Sequence, residues 1–489
     1  MFKRKRIAAG LASVLILSAL AAGCSGGAGN PAQEGAGAGK ADGQPVELIW
    51  YTIGGPQKDA DKVMEAVSKY TKEKINATVK MKMIDWGDYS QKMQVISVSG
   101  EPYDIAFTSS WAFDYVQNAR KGAFYEMDGL LDKYGQGIKK AVHPSFLEGS
   151  KVNGHNYGVP TNKELPAQAV WRFNKQYVDK YKMDLSNVSS LESLEPLLKT
   201  MKENEPGVYP IPSNVDPFVP FDFVVQGIPF GVRLDTQDYK IVNVFETPEY
   251  RQMSETMRKY YKAGYLPPDV ATKTGNDHEK TGKWLVDKAH TVPFADNLWS
   301  EGFKYEIVSK PIHEPIVFNW SVTGSMMAIS ANSKHPEKAM EFLNLLNSDA
   351  YLRNLVNYGL EGTHYKKVSE GVIELTPDSG YSMPSFTLGN MFLLNRFPKD
   401  PTDKWEQYDK FNKSAKNAPL LGFQFDSSKV ENELAAVKSV SEEFKKALET
   451  GSVEPSEVLP KAIDKLKAAG INKVMDEAQK QLDAWRAKK

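Results

Sequence analysis

The chain has 489 residues, of which 41% are hydrophobic and 25% charged, an ordinary soluble globular composition. Its length exceeds the ~250–300 residues at which one core stops growing, so two lobes are expected. Lysine plus arginine equal aspartate plus glutamate at 61 each, so the basic footprint of a nucleic-acid binder is missing; one cysteine allows no intramolecular disulfide and no cysteine-built zinc or iron–sulfur site.

In chain order, Lys3–Cys24 (KRKRIAAGLASVLILSALAAGC) comes first. Four cations precede an apolar run from Ile7 to Ala22, and Ala21, Ala22 and Gly23 lead into Cys24. This is the layout of a secretory signal, and the run falls short of the roughly 20 apolar residues of a membrane span. The cysteine after small residues resembles a bacterial lipobox, with Ala21 where leucine is usual. That resemblance implies cleavage before Cys24 and a diacylglycerol on its thiol, making 1–23 a signal peptide and 24–45 a lipidated flexible linker. The signal takes four of the 61 cations, so 57 remain against 61 carboxylates, a net charge of −4. Residues 25–44 are mostly Gly, Ala, Ser, Pro and Gln with little to bury. GAGAGK at Gly35–Lys40 has the wrong spacing for a phosphate loop and no preceding strand.

Val46–Thr52 reads as a strand ended by Gly54, Gly55 and Pro56. A helix follows over 59–74, then a strand at 77–83, a helix at 89–98 and a strand at 103–107 stopped by Thr108, Ser109 and Ser110. Alternating strands and helices argue for βαβ units and a parallel sheet, whose ligands bind outside the carboxyl ends of the strands. That places Thr52–Gly54 and Thr108–Trp111 at one edge of a candidate site.

Gly154–Pro160 is a turn-rich break before a strand at 167–174. The middle is helix-rich, including 191–203 and 247–263, with a proline-rich loop at 210–220. A strand is expected at 290–294, with Asp296, Asn297 and Trp299 after it, and strand character returns over 317–329. Ser333 with Pro336 and Glu337 marks a helix start, and Asp349 opens a second helix stopped by Gly359. Ser428 and Glu431 have capping-box spacing, and the stripes Val430–Leu448 and Ile471–Trp485 predict packed helices. There is no HExxH, no G-x-S-x-G elbow and no dinucleotide fingerprint. Asp277–His278–Glu279 reads as a solvated loop rather than a metal site. No cofactor and no metal are expected.

Taken in order, the lipobox, the Gly-rich linker, VELIWYT, PYDIAF followed by SSW, YGVP, AHTVPFADN and SKHPEKAMEFLNLLNSDAYLRNLVNYGLEG resemble extracellular solute-binding proteins of ABC importers. The resemblance lies in the oligosaccharide-binding branch typified by maltodextrin-binding protein. From about Asn395, NRFPKDPTDKWEQYDKFNKSAK onward is similar to the extra C-terminal domain of Gram-positive lipoproteins related to LipO. It implies an α/β fold of two lobes with a hinge and central cleft, plus a helical C-terminal extension. Lobe one would be 46–160 with 321–365, lobe two 161–320 with about 366–394, and the extension 395–489 packed on the lobes. Residues 158–162 and 319–322 would be crossover strands. The implied protein is a monomeric, non-catalytic receptor on the outer face of the cell membrane, anchored through Cys24. It would capture an oligosaccharide and deliver it to ABC permease subunits served by a separate ATPase.

A sugar offers apolar C–H faces and a rim of hydroxyls, so its site needs aromatic rings and fixed polar groups. By analogy, Tyr51, Trp111, Trp299 and Trp320 are the expected stacking residues, with Phe221 and Phe223 beside them. Thr52, Ser109, Ser110, Lys163, Glu164, Asp222, Asp296 and Asn297 are the polar candidates, and Glu361, Tyr365 and Arg396 the rim. Each aromatic could equally be core packing, and Lys163–Glu164 an exposed ion pair worth little. Two other readings stay open. The scaffold could bind a peptide, which would need opposed charges for its termini, or it could be a secreted glycan hydrolase, although no carboxylate pair stands out.

Overall fold

The computed structural model describes residues 43–213, 215–273 and 277–488, without the side chain of Asp277. The signal, Cys24 and nearly all of the linker lie outside the described residues.

The first lobe is built on a five-stranded sheet in the order Ala77–Ile84, Val46–Ile53, Ile105–Thr108, Met326–Ile329, Val159–Pro160. The first three strands are parallel; Met326–Ile329 runs against both its neighbours. Ile105–Thr108 and Met326–Ile329 are buried along their whole length, which is why they read as apolar runs rather than alternating ones. Helix Ala60–Ile75 buries Val63, Met64, Val67 and Thr71, a stripe at helical spacing, and ends at Asn76 in the left-handed conformation. Helices Pro336–Ser348 and Ala350–Tyr358 add Met340, Leu343, Leu346 and Leu352 to the same core.

The second lobe has a three-stranded sheet, Val286–His290, Ala169–Asn174, Ile307–Pro311, whose central strand is buried throughout and antiparallel to both others. Helix Pro248–Lys262 packs here, and so do the C-terminal helices Glu431–Glu449, Pro455–Ala468 and Ile471–Arg486. Val437 and Leu448, then Ile471, Val474, Ala478 and Leu482, are buried in this core, so the two stripes are packing faces. Gly451 ends the first C-terminal helix at φ +67, where a Cβ would stand 2.1 Å from the Met257 carbonyl oxygen. Only glycine permits that approach of the C-terminal region to helix Pro248–Lys262.

Three chain segments join the lobes side by side. The Thr161 amide donates to the Ser325 carbonyl at 3.0 Å, Ala167 bridges Ile316, and Ile316–Val317 pairs in parallel with Lys416–Asn417.

Several expectations change. Residues 366–394 were placed with lobe two, yet Tyr381, Met383 and Leu388 sit in the first core. The Tyr381 hydroxyl donates to the Val356 carbonyl at 2.7 Å and the Asp59 amide to that of Gly380, so tertiary docking holds this segment on lobe one. Residues 319–322 form a short helix rather than a crossover strand, with Ser321 accepting from the Phe318 amide. The strand expected at 290–294 lies at Val286–His290, and helix Ala295–Phe303 begins where strand was expected to end. A helix does start at Pro336, with His335 rather than Ser333 at its N-cap, whereas Ser428 caps no helix because the N-cap of the later one is Val430. Among the described residues no helix is long and apolar enough to cross a membrane.

Candidate functional site

Where the lobes meet, two adjoining cavities open. The first, about 390 Å³, is lined by Ser110 at the end of Ile105–Thr108, by Phe318 and Trp320 at the joint, and by Phe221, Phe223 and His290 of the second lobe. The second, about 300 Å³, shares Ser110, Phe223, Gln226 and Trp320 with it. It adds Asp114 and Arg120 from the first lobe and Gln424 and Phe425 from the C-terminal region.

Beside Ser110 stands an exposed aromatic ledge. Trp111 and Trp86 are 51% and 42% exposed. Trp86 lies near-parallel to Trp111 at 6.2 Å and to Phe386 at 6.1 Å. The turn that projects Trp111 is set by Ser109, whose buried hydroxyl oxygen accepts from the amides of Trp111 and Ala112 at 3.2 and 2.8 Å. Ser110 is held by its own amide, which donates to the Thr323 carbonyl at 2.9 Å. Large exposed aromatics grouped at a cleft mark a binding surface rather than a core. Across the cavity, Trp320 stacks on Phe318 at 5.5 Å and meets the edge of His290 at 5.9 Å. His290 is exposed at the end of its strand, yet the atoms crowding it, with Lys288 nearby, push its imidazole pKa down. Burial lifts Asp222 to about 7, although its carboxylate accepts from the Leu420 amide at 2.9 Å.

Of the residues expected at the site, the cavities bring together Ser110, Phe221, Asp222, Phe223 and Trp320, with Trp111 next to them. Others lie elsewhere. Tyr51 is in the first core; its hydroxyl donates to Glu101 at 2.6 Å and accepts from Lys82. Thr52 is fully buried. Lys163 and Glu164 pair with each other at 3.1 Å, and the Lys163 carbonyl accepts from Asn412, against helix Lys404–Ser414. Asp296 accepts from the amide and hydroxyl of Ser309, tying its helix to strand Ile307–Pro311. Trp299 covers the guanidinium of Arg172, which stands 5.1 Å from its ring. Asn297 lines a separate hollow with Lys399 and Lys404. Tyr365 opens the hairpin Tyr365–Ser369/Val372–Leu375, Glu361 bridges to it, and Arg396 donates to the Pro401 carbonyl at 3.1 Å.

Trp86, Phe386, His290 and His313, the last of which also lines the first cavity, stand outside the residues expected from the sequence. Trp86 follows the carboxyl end of a parallel strand, so the rule that found Trp111 also reaches it. Phe386 carries no such signal, because tertiary docking alone brings it there.

Two groups could offer metal ligands, Glu126–Asp128–His155 at the surface and the buried His278–Glu279–Asp287. His278 is therefore not a solvated loop residue. In the buried group Arg172 already donates to Asp287 at 2.9 and 2.6 Å and to Glu279 at 2.7 Å, so both carboxylates are engaged by one guanidinium, whose single charge offsets one of their two.

Residues 54–352 match the family of bacterial extracellular solute-binding proteins, and residues 419–487 match a domain of unknown function, DUF3502. A carbohydrate ABC transporter substrate-binding protein of Streptococcus pneumoniae is 35% identical over 492 residues, 98% of each chain. The crystal structure of NgtS, an N-glycan transport solute-binding protein from Streptococcus pneumoniae, superimposes with TM-score 0.82 at 34% identity, covering 91% of this chain and 100% of that one. NgtS in complex with Man5GlcNAc gives 0.67 at the same identity, covering 91% and 99%. At nearly equal coverage, this chain superimposes better on the NgtS structure described without a bound glycan. Fold, cleft and full-length similarity agree: the chain belongs to the bacterial extracellular solute-binding proteins.

Proposed function

We propose that this protein captures an oligosaccharide of the N-glycan type between its lobes and presents it to an ABC permease driven by a separate ATPase. The observation that carries the reading is the exposed Trp86–Trp111–Phe386 ledge beside cavities lined by Trp320, Phe223 and Ser110. Aromatic faces cover the C–H faces of pyranose rings, while hydroxyl, amide and imidazole groups orient their hydroxyls. Ligand contacts are assigned to Ser110, Trp111, Phe223 and Trp320 from the sequence reading, with Trp86 and His290 added. Rotation of the lobes about the three joining segments would bring ledge and cavity onto opposite sides of the glycan. The difference between the two NgtS superpositions supports such a movement.

The reading involves no catalytic step. It places the protein, as a monomer, on the outer face of the membrane, with the lipid on Cys24 as anchor and residues 24–45 as tether. The peptide alternative is disfavoured by the charges of the first cavity, which occur as pairs: Lys288 with Asp216, and Lys445 with Asp216 and Glu449.

A thermal-shift screen of the mature protein tests this. Saturating Man5GlcNAc at about 100 times its Kd should stabilise the fold by roughly 2.7 kcal/mol. Stabilisation by peptides alone would refute the glycan reading.

A further inference from the structure

The deep end of the 390 Å³ cavity is walled by the C-terminal region: Lys445 and Glu449 of helix Glu431–Glu449 line it. The matched domain of unknown function includes both residues. Lys445 donates to the Asp216 carboxylate at 3.2 Å and lies 3.8 Å from Glu449. Lys288 approaches Asp216 from strand Val286–His290, 3.6 Å from its carboxylate, and also donates to its carbonyl. The side chains of Lys288 and Glu449 are only 12% and 6% exposed. Asp216 itself holds a left-handed backbone, φ +41, at a non-glycine position. Such strain concentrates at ligand clamps.

Tyr250 supplies the independent observation. It lines the same cavity, is 2% exposed, and its hydroxyl has no hydrogen-bond partner among the described residues. A buried hydroxyl without a partner destabilises the fold, so an occupant that bonds it recovers that loss. Phe221, Ile228 and Phe245 close the cavity with an apolar wall.

An anion placed here meets Asp216 and a cation meets Lys288 and Lys445, while burial raises the Glu449 carboxyl to about 8, so that it can donate as well as accept. Sugar hydroxyls both donate and accept, so a ring edge can use ammonium, carboxylate and phenol together while its C–H face lies on the apolar wall. We propose that this end of the cavity is a subsite for one uncharged pyranose ring of the bound oligosaccharide, and that the C-terminal domain, through Lys445 and Glu449, helps select the ligand. The inference rests on the glycan reading above and extends it to a domain without an assigned role.

Calorimetric titration of the mature protein with Man5GlcNAc tests it, comparing wild type with Tyr250→Phe, Lys445→Met and, as a control at the ledge, Trp111→Ala. Tyr250→Phe removes a hydroxyl that has no hydrogen-bond partner among the described residues, so its melting temperature should match wild type while its affinity falls about tenfold. Lys445→Met should weaken binding to a similar degree. If both variants bind like wild type while Trp111→Ala binds weakly, the subsite is wrong and the glycan reading stands. If wild type itself gives no binding, the glycan reading fails and the subsite with it.

Discussion

The Trp111 indole donates to the Gly324 carbonyl at 2.7 Å while half of its ring remains open to solvent. One edge of the ring is therefore tied to the joint between the lobes, and its face is left free. A side chain fixed in this way loses little rotamer entropy when a ligand stacks on it. Trp111→Ala is expected to weaken Man5GlcNAc binding by about 2 kcal/mol, roughly 30-fold, as a central aromatic anchor does. Unfolding midpoints should barely change. Unaltered affinity in calorimetry would remove Trp111 from the site.

Trp299 gives the opposite expectation. With Trp284 and Phe303 it surrounds the Arg172 guanidinium at 5.1, 5.7 and 4.8 Å, and Arg172 neutralises the buried Asp287. Desolvated cation–π contacts are worth about 2 kcal/mol. Trp299→Ala should lose about that much stability in urea titration and keep wild-type glycan affinity. A variant with normal stability and weak binding would return Trp299 to the ligand.

Asp222 should make the fold sensitive to pH. Burial raises its carboxyl from an ordinary 3.8 to about 7, so between those values the folded protein holds a proton that the unfolded chain has released. Stability from this group therefore falls as pH rises from about 4 to 7, and the penalty is complete above 7. Asp222→Asn keeps an oxygen for the Leu420 amide and cannot ionise. It should stabilise the protein at about pH 8, on the order of 2–4 kcal/mol, and have little effect near pH 4. Equal effects at both pH values would show that Asp222 is ionised throughout.

The anchor can be tested apart from the cleft. Cys24→Ala should leave glycan affinity of the soluble protein unchanged and release the protein from the cell surface into the medium. Cell fractionation measures the second effect; weakened binding in the soluble variant would mean that Cys24 serves more than attachment.

Much of the scaffold was legible because periodicity follows burial. Strands near Val46 and Ala77 and the stripe Ile471–Val474–Ala478–Leu482 could be read from spacing alone. Residues 366–394 could not: their position depends on Tyr381 reaching Val356 and on Gly380 meeting Asp59, contacts between distant segments. The site was half legible for a related reason. The ends of parallel strands give a location but not a direction. The same rule therefore led to exposed Trp111 and to Tyr51, which points into the core and bonds Glu101. Trp320 was found through its place at the joint. Lys445 and Glu449 were hidden because their helix reads as a packing face and only the folded chain carries it to the cavity.

Titration calorimetry of the wild-type mature protein with Man5GlcNAc tests the central claim most directly. Capture without chemistry predicts heat that saturates at one glycan per chain and then stops, with the glycan recovered intact. No heat with glycans, or heat that continues as the sugar is cleaved, would contradict it.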